Sequence, residues 1–301
     1  MKFKGSLCFL MCLVLFNACN RSDASQKKKE QTNHIITLLI PATVHTYSWL
    51  NNYDIKNAIV NRIPVPDGFK RVEVKDGSFA DWLRFLPLKP GNPDVHLYNG
   101  ELKKYQSGHS AVVNIDVGTA DLQQCADAVI RMRAEYLYAQ KEFDALHFNF
   151  TSGNTIGFKK WSEGYRTIIK GNNVTWVKTA MQDSSYKTFK EYLTAIFNYA
   201  GTSSLSKELK PVNDLNEIRP GDVFIAGGFP GHAVLVIDVC EKKDTGEKLF
   251  MIQQSYMPAQ EIHILKNFNN AAISPWYSTR FEGELKTPEW TFTKTQLLRW
   301  Q

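Results

Sequence analysis

The stretch GDVFIAGGFPGHAVLVIDV, which runs from Gly221 to Val239, decides the fold. A short apolar segment, Val223–Ala226, leads into a turn rich in glycine and proline, and the apolar run His232–Cys240 follows it. Apolar runs on either side of such a turn indicate two strands of one sheet. His232 puts a titratable ring where the turn becomes an otherwise apolar strand, so it is a candidate functional residue.

The rest of the chain extends this pattern in both directions. Two more strands are predicted downstream, at Leu249–Gln254 and Ile262–Leu265. Upstream, Thr119–Glu142 contains neither glycine nor proline and has one apolar stripe, which predicts a long helix. A second helix is predicted from Tyr186 onward, with Gly201 at its C′ position. The fold class is therefore α+β, with long helices of the N-terminal half packed on an antiparallel sheet formed mainly by the C-terminal half.

The chain begins with a pattern typical of a targeting segment. Lys2 and Lys4 precede an apolar stretch, Leu7–Ala18, that is short for a membrane span. The segment FNAC, which ends at Cys19, is similar to the lipobox of bacterial lipoproteins, and that similarity implies that Cys19 is lipidated. The alternative is an ordinary secreted protein that is cleaved near Ala18.

These features divide the chain into three parts. Residues 1–18 are predicted to be a signal peptide, 19–33 a lipid-anchored flexible tether, and 34–301 a single α+β domain. The predicted location is the bacterial cell envelope, with the membrane reached through the lipid on Cys19. The net charge of +6 is concentrated at the start, where six basic residues oppose two acidic ones in residues 1–30. No basic stripe with interleaved aromatic residues follows, so we expect no nucleic acid partner.

Cysteine usage limits the chemistry of the folded part. Of five cysteines, only Cys125 and Cys240 lie beyond the predicted lipidation site. They could pair in an oxidising compartment, although Cys240 lies in a predicted strand and is best interpreted as a buried residue. Cysteine and histidine do not cluster at the short spacing of a zinc site, so no metal or cofactor is expected.

Cys125 is the candidate nucleophile. Thr119 or Asp121 can cap the long helix, and if Asp121 is the N-cap, the sulfur of Cys125 lies near unpaired N–H groups and the positive end of the helix dipole. Such surroundings depress the pKa of a thiol into the reactive range. The alternative interpretation is a small apolar residue on the buried stripe of the helix, because free cysteine is often fully buried.

A nucleophilic thiol needs a base and a group that orients the base. His232 is the candidate base, and folding the hairpin near Thr245 pairs Val236 with approximately Gln254. Gln254 then shares a face with His232 and can orient its ring. Gln124, like its neighbour Gln123, is a candidate donor for an oxyanion hole. The alternative for His232 is a strand-end ring bonded to a backbone carbonyl.

These residues resemble the pattern of papain-like cysteine hydrolases. A cysteine that opens a helix, a later "GD-strand-GH-strand" and a polar residue on the next strand are similar to the cell-wall peptidase/amidase and transglutaminase-like branch. The resemblance implies a papain-like fold in which Cys125 attacks an amide, His232 carries the proton and Gln254 holds the ring. The chain departs from that pattern in its cysteine motif, in the 107 positions from Cys125 to His232, and in using glutamine as the third residue.

The chain as a whole resembles a second family. The segments SFADWLRFLPLKP, QQCADAVIRMRAEYLY, GDVFIAGGFPGHAVLVIDV and QQSYMPAQEIHIL together are similar to domain of unknown function family 4846, a family of bacterial lipoproteins. This resemblance covers most of residues 60–290. It implies a secreted, lipid-anchored domain and supplies no reaction.

Two functions follow from the sequence. The first is a papain-like cysteine hydrolase, an amidase or peptidase that acts on peptidoglycan or on a peptide. The second is a non-catalytic envelope lipoprotein that binds a glycan or a protein partner with the same cleft or with its aromatic rim. Trp276 and Trp290 are the aromatic candidates for stacking on sugar rings.

Overall fold

The computed structural model describes residues 38–301. The predicted signal peptide, tether and lipidation site at Cys19 lie outside the described residues. Within 38–301, no helix is long and apolar enough to cross a membrane.

The helices are short, and two of them exceed ten residues. In chain order the α-helices are α1 (Ile59–Arg62), α2 (Phe79–Arg84), α3 (Cys125–Ala139), α4 (Phe158–Ser162), α5 (Tyr186–Tyr199) and α6 (Thr202–Glu208). The predicted second helix is α5. Gly201 follows the C-cap Ala200 and so occupies the predicted C′ position, but its φ of 178° is extended rather than left-handed backbone, and it also serves as the N-cap of α6.

The strands are more numerous and most lie after residue 209. They are β1 (Lys70–Arg71), β2 (His109–Val112), β3 (His147–Asn149), β4 (Thr155–Gly157), β5 (Tyr165–Lys170), β6 (Asn173–Lys178), β7 (Lys210–Pro211), β8 (Val223–Ala226), β9 (His232–Lys242), β10 (Glu247–Gln254), β11 (His263–Leu265), β12 (Trp276–Ser278), β13 (Glu284–Lys286), β14 (Thr291–Thr293) and β15 (Leu297–Arg299).

The main sheet of the described chain has nine strands. Its order is β2-β11-β10-β9-β8-β15-β7, with β1 added to β9 and β12 added to β10. The paired strands are antiparallel throughout. The α+β prediction is confirmed, whereas the papain-like arrangement stays a prediction. The strands β3–β4, β5–β6 and β13–β14 form three separate hairpins.

Strand β9 is apolar from Ala233 to Ile237 because both of its faces are covered. Leu235 and Ile237 belong to the core that includes α3. Val234 and Val236 belong to a second core on the other side, with aromatic residues such as Phe292. A strand buried on both faces has a continuous apolar run rather than an alternating one. This explains the apolar composition of the second half of the stretch Gly221–Val239, in which His232 is the polar residue at the start of β9.

Candidate functional site

A cleft of about 780 Å³ opens at the entrance of β9. Its walls come from the start of α3, the start of α6, the loop 227–231 and the segment after β10. The lining residues that matter most for chemistry are Asp121, Gln124, Cys125, Asp127, His232, Tyr256 and Trp290. Two residues 107 positions apart in sequence, Cys125 and His232, therefore share one cavity.

Cys125 is the first residue of α3, and the helix begins later than the sequence pattern predicted. The N-cap is Gln124, whose backbone N–H donates to Oδ2 of Asp127 at 3.1 Å. Thr119 and Asp121 do not cap the helix. Asp121 instead accepts the backbone N–H of Ala259 at 2.6 Å, so its carboxylate ties the segment after β10 to the start of α3.

The thiol of Cys125 lies next to backbone amides from two elements. The N–H groups of Ala126, of Ala233 and of Cys125 itself lower its pKa, as expected near a helix N-terminus. Burial and the neighbouring Asp127 act in the other direction and prevail, so the pKa of the thiol is raised to about 11. The predicted depression of the thiol pKa is therefore wrong, because desolvation of a side chain only 8% exposed outweighs the dipole.

His232 is enclosed by aromatic rings. Its ring centroid lies 4.8 Å from that of Tyr256, 5.3 Å from that of Trp290 and 5.8 Å from that of Phe292. Burial lowers the pKa of His232 to about 4, and the hydrogen bond to Gln254 only partly offsets it. At neutral pH the cleft therefore holds an uncharged thiol and an uncharged imidazole.

Gln254 contacts the His232 ring, as its predicted place on the same face of the sheet implied. The predicted pairing of Val236 with Gln254 was wrong. Nε2 of His232 lies 2.8 Å from Oε1 of Gln254. Val236 pairs with Ile252 and not with Gln254. The register shifts between Met251 and Ile252, because Ile237 is an extra residue on β9.

This bulge decides which glutamine contacts the ring. If the register did not shift after the pair Met251–Asp238, Gln253 would lie opposite Val236, on the same face of the sheet as His232. With the shift, Gln253 pairs with Leu235 and Gln254 takes the His232 face.

The two candidate oxyanion donors lie in different surroundings. Gln124 lines the cleft, and its Nε2 donates to Oδ1 of Asp121 at 3.0 Å. Gln123 is 2% exposed, and its Oε1 accepts a hydrogen bond from Nη1 of Arg131 at 2.8 Å. Of the two, Gln124 is the one whose side chain is available to a ligand in the cleft.

Three further residues continue the polar chain beyond Gln254. Its Nε2 donates to Oε2 of Glu289 at 2.6 Å and lies 3.4 Å from Nε2 of His263. Glu289 forms a salt bridge with Lys103, a side chain only 6% exposed. Sequence reasoning missed all three, because they lie on separate segments and none belongs to a local motif. Trp290 was noted only as an aromatic candidate, and Trp276 is buried in the core.

Gly231 sets how closely the strand entrance approaches its neighbours. A Cβ atom at this position would lie 2.3 Å from Oγ1 of Thr202 and 2.5 Å from the carbonyl oxygen of Gly228. Both distances are below any normal contact, so only glycine fits immediately before His232. Thr202 also donates to the carbonyl of Gly228 at 3.0 Å, which holds the loop 227–231 against α6.

Two further buried side chains, one a thiol and one an imidazole, lie apart from this cleft. Cys240 is a buried free thiol on β9. His109 is buried on β2, with Nε2 3.0 Å from the carbonyl oxygen of Pro93. Within residues 38–301, no group of three or more histidine, cysteine or acidic side chains is placed to hold a metal ion.

Comparison with known proteins identifies the family. The profile described as "Domain of unknown function (4846)" matches residues 59–299, and the chain therefore belongs to that family. No match was found among curated proteins or among solved structures.

Proposed function

We propose that this protein is a cysteine hydrolase that cleaves an amide bond in a peptide or in the peptide part of peptidoglycan. One observation carries the proposal. A cysteine at the first position of a helix shares a cleft with His232, and Gln254 contacts Nε2 of the His232 ring. Nucleophile, base and orienting group are the three parts that covalent hydrolysis requires.

The first half-reaction forms a thioester. The proton of Cys125 moves to Nδ1 of His232, the ring nitrogen that Gln254 does not engage, while the sulfur bonds to the carbonyl carbon of the substrate. The negative charge on the carbonyl oxygen is stabilised by the backbone N–H of Cys125, which has no acceptor within the helix, and by the side chain of Gln124. The imidazolium then protonates the leaving nitrogen as the C–N bond breaks.

The second half-reaction restores the protein. His232 accepts a proton from water, and the oxygen of that water attacks the thioester carbonyl. The C–S bond breaks, a carboxylic acid leaves and Cys125 regains its proton. Because thiol and imidazole both start uncharged, His232 acts as a general base during attack and does not form a standing ion pair with the sulfur.

The lining of the cleft favours a substrate without negative charge. Its ionisable residues include two carboxyl groups, Asp121 and Asp127, and its apolar contacts include Phe197, Pro230 and Met257. Burial raises the pKa of Asp127 to about 8, so this carboxyl group is largely protonated at neutral pH. A peptide with neutral or basic side chains fits these surroundings better than an acidic one.

The predicted signal peptide and lipidation site suggest the cellular location in which we propose that the protein acts. A signal peptide and a lipid on Cys19 would place the hydrolase at the bacterial cell envelope, where peptidoglycan peptides are the abundant amide-linked substrate. These predictions concern residues outside the described part of the chain.

The test is incubation of the full chain with muramidase-solubilised peptidoglycan and with a panel of neutral, basic and acidic peptide amides. We expect cleavage of amide bonds, detected as new amines by mass spectrometry, and an acylated peptide containing Cys125 after an acid quench. If no probe is cleaved and no acyl adduct forms on Cys125, the proposal is overturned.

A second candidate function is non-catalytic binding of a glycan. The rim of the cleft favours it, since Trp290 lines the opening and Phe229 is 97% exposed beside it. Aromatic faces of this kind stack on sugar rings. Titration of tryptophan fluorescence with a peptide-free glycan strand tests this candidate, and saturable binding without any amide cleavage would favour it over hydrolysis.

A further inference from the structure

The amide of Gln254 is held from both ends. Its Oε1 lies 2.8 Å from Nε2 of His232, and its Nε2 lies 2.6 Å from Oε2 of Glu289. The same Nε2 lies 3.4 Å from Nε2 of His263. The protonation of these neighbours therefore decides which way the amide can point.

His263 presents a lone pair to the amide. Its Nδ1 lies 2.8 Å from the carbonyl oxygen of Glu261, and a carbonyl can only accept, so Nδ1 carries the proton. Burial, together with the charge of Lys103, lowers the pKa of His263 well below its ordinary value, so the ring is neutral. Its Nε2 is then an acceptor, and Nζ of Lys103 donates to it at 3.3 Å.

Both groups beside the NH₂ of Gln254 are thus acceptors, one a carboxylate and the other an imine nitrogen. A flipped amide would bring its own oxygen against two lone pairs, which is repulsive in a buried site. Oε1 of Gln254 therefore faces His232, and Nε2 of His232 must donate to it. The neutral His232 ring then has its lone pair on Nδ1.

Lys103 and a tight turn keep Glu289 in place. Lys103 pairs with the carboxylate, which would otherwise be a largely buried and uncompensated charge. Glu289 lies in the turn between β13 and β14, where the N–H of Thr287 donates to the carbonyl of Trp290 at 2.8 Å. This turn supplies both the carboxylate that orients Gln254 and the indole that covers His232.

We propose that Glu289 is a positioning residue: by orienting the amide of Gln254, it fixes His232 in the tautomer that carries its proton on Nε2 and its lone pair on Nδ1. This inference rests on the proposed hydrolase function, because only a proton acceptor at Nδ1 makes the tautomer matter. Without Glu289 the amide is free to turn, and the fraction of His232 with a proton on Nδ1 cannot accept the proton of Cys125.

The test combines a spectroscopic and a kinetic measurement. In ¹⁵N-histidine NMR of the full chain, with the His232 signals assigned by their loss in His232→Gln, we expect the Nε2–H tautomer in the wild type. In Glu289→Gln we expect a mixture of tautomers and a fall in kcat of about 100-fold with KM retained. This is less than the loss of about 10⁴-fold caused by a wrong tautomer in a serine protease.

Two further variants make the result decisive. Lys103→Met/Glu289→Gln removes both charges, so it avoids an unpaired buried ammonium, and it should show the same mixed tautomers. Glu284→Gln changes an exposed carboxylate on the same hairpin and should leave spectrum and rate unchanged.

The possible outcomes separate the two proposals. A Glu289→Gln variant with unchanged tautomer and rate would overturn the positioning role alone. A wild type with the proton on Nδ1 would overturn the positioning role and also the proposed transfer of the Cys125 proton to that nitrogen. A tautomer that shifts as expected in a protein that cleaves none of the probes would support the positioning role and count against hydrolysis.

Discussion

The two thiols of the described chain differ in their neighbours more than in their acidity. Cys240 lies within β9, fully buried, and burial and Asp238 raise its pKa to about 12. Cys125 opens a helix at a cleft, and burial raises its pKa to about 11. Burial thus makes both thiols weak acids, and only Cys125 shares a cavity with an imidazole. Any reactivity of Cys125 therefore depends on a proton acceptor within reach and not on a lowered thiol pKa.

The largest expected effect comes from removing each thiol in turn. Cys125→Ala should lower amide hydrolysis by at least about 1000-fold, because it removes the nucleophile. Cys240→Ala should retain kcat and cost about 1 kcal/mol of unfolding free energy, since it only leaves a small cavity. Hydrolysis assays and urea melts of the two variants provide the measurement. Comparable loss of activity in both would contradict the distinction between the thiols.

Alkylation of the unmodified protein distinguishes the two thiols by their reaction rates. With iodoacetamide, native Cys125 should label at least about 100-fold faster than Cys240, and its rate should rise about tenfold per pH unit toward the thiol pKa of about 11. Peptide mapping by mass spectrometry distinguishes the two sites, and labelling in concentrated urea, where both react, is the control. A rate that levels off below pH 7 would mean that the thiol is already ionised and would contradict the assigned charge states.

A smaller effect is expected from exposing the ring of His232 to water. Trp290→Ala removes an indole whose centroid lies 5.3 Å from the His232 ring, so water can compete for the hydrogen bond to Gln254. We expect kcat to fall by about tenfold, the equivalent of 1.4 kcal/mol. Trp176→Ala, on the separate β5–β6 hairpin, is the matched control and should leave kcat unchanged. An unaltered kcat in both variants would show that Trp290 does not protect the hydrogen bond between His232 and Gln254.

The last effect is on stability rather than rate and concerns Asp127, a residue that adjoins Cys125 but not Cys240. Burial raises the pKa of Asp127 to about 8, so between pH 4 and 8 the unfolded chain releases a proton that the folded chain keeps. Its contribution to the unfolding free energy therefore falls as pH rises through this window, by at most about 1.4 kcal/mol per pH unit.

In Asp127→Asn this decline should disappear, while the backbone N–H of Gln124 keeps an amide oxygen as its acceptor. Glu208, whose pKa burial raises to about 7, adds a decline of its own that the variant retains. Urea melts at each pH measure both slopes, and equal slopes in wild type and variant would show that Asp127 is ionised in the folded chain.

The sequence predicted the sheet better than the site, for reasons visible in particular residues. Val223–Ala226 was predicted with its observed bounds because a buried strand between two turns is a local signal. The start of α3 was misplaced because the cap depends on a turn at residues 122–124 that no propensity marks. Gln254 reached the face of His232 through a bulge at Ile237, which apolar alternation does not reveal.

The residues that extend the hydrogen-bond network beyond Gln254 could not be predicted from the sequence, for a different reason. Lys103, His263 and Glu289 come from three distant segments, and each has an ordinary local context. Only the three-dimensional path of the chain brings them to Gln254.

Gly231 has no side chain to take part in the chemistry, yet its close packing makes the geometry of the site sensitive to substitution at this position. One added methyl at this residue would collide with Thr202 and push the first residue of the strand away from its place. Nucleophile, base and amide would all remain in the chain, but they would no longer be aligned. Natural variants at position 231 are therefore expected to behave as inactive homologues, even though every reacting side chain is intact.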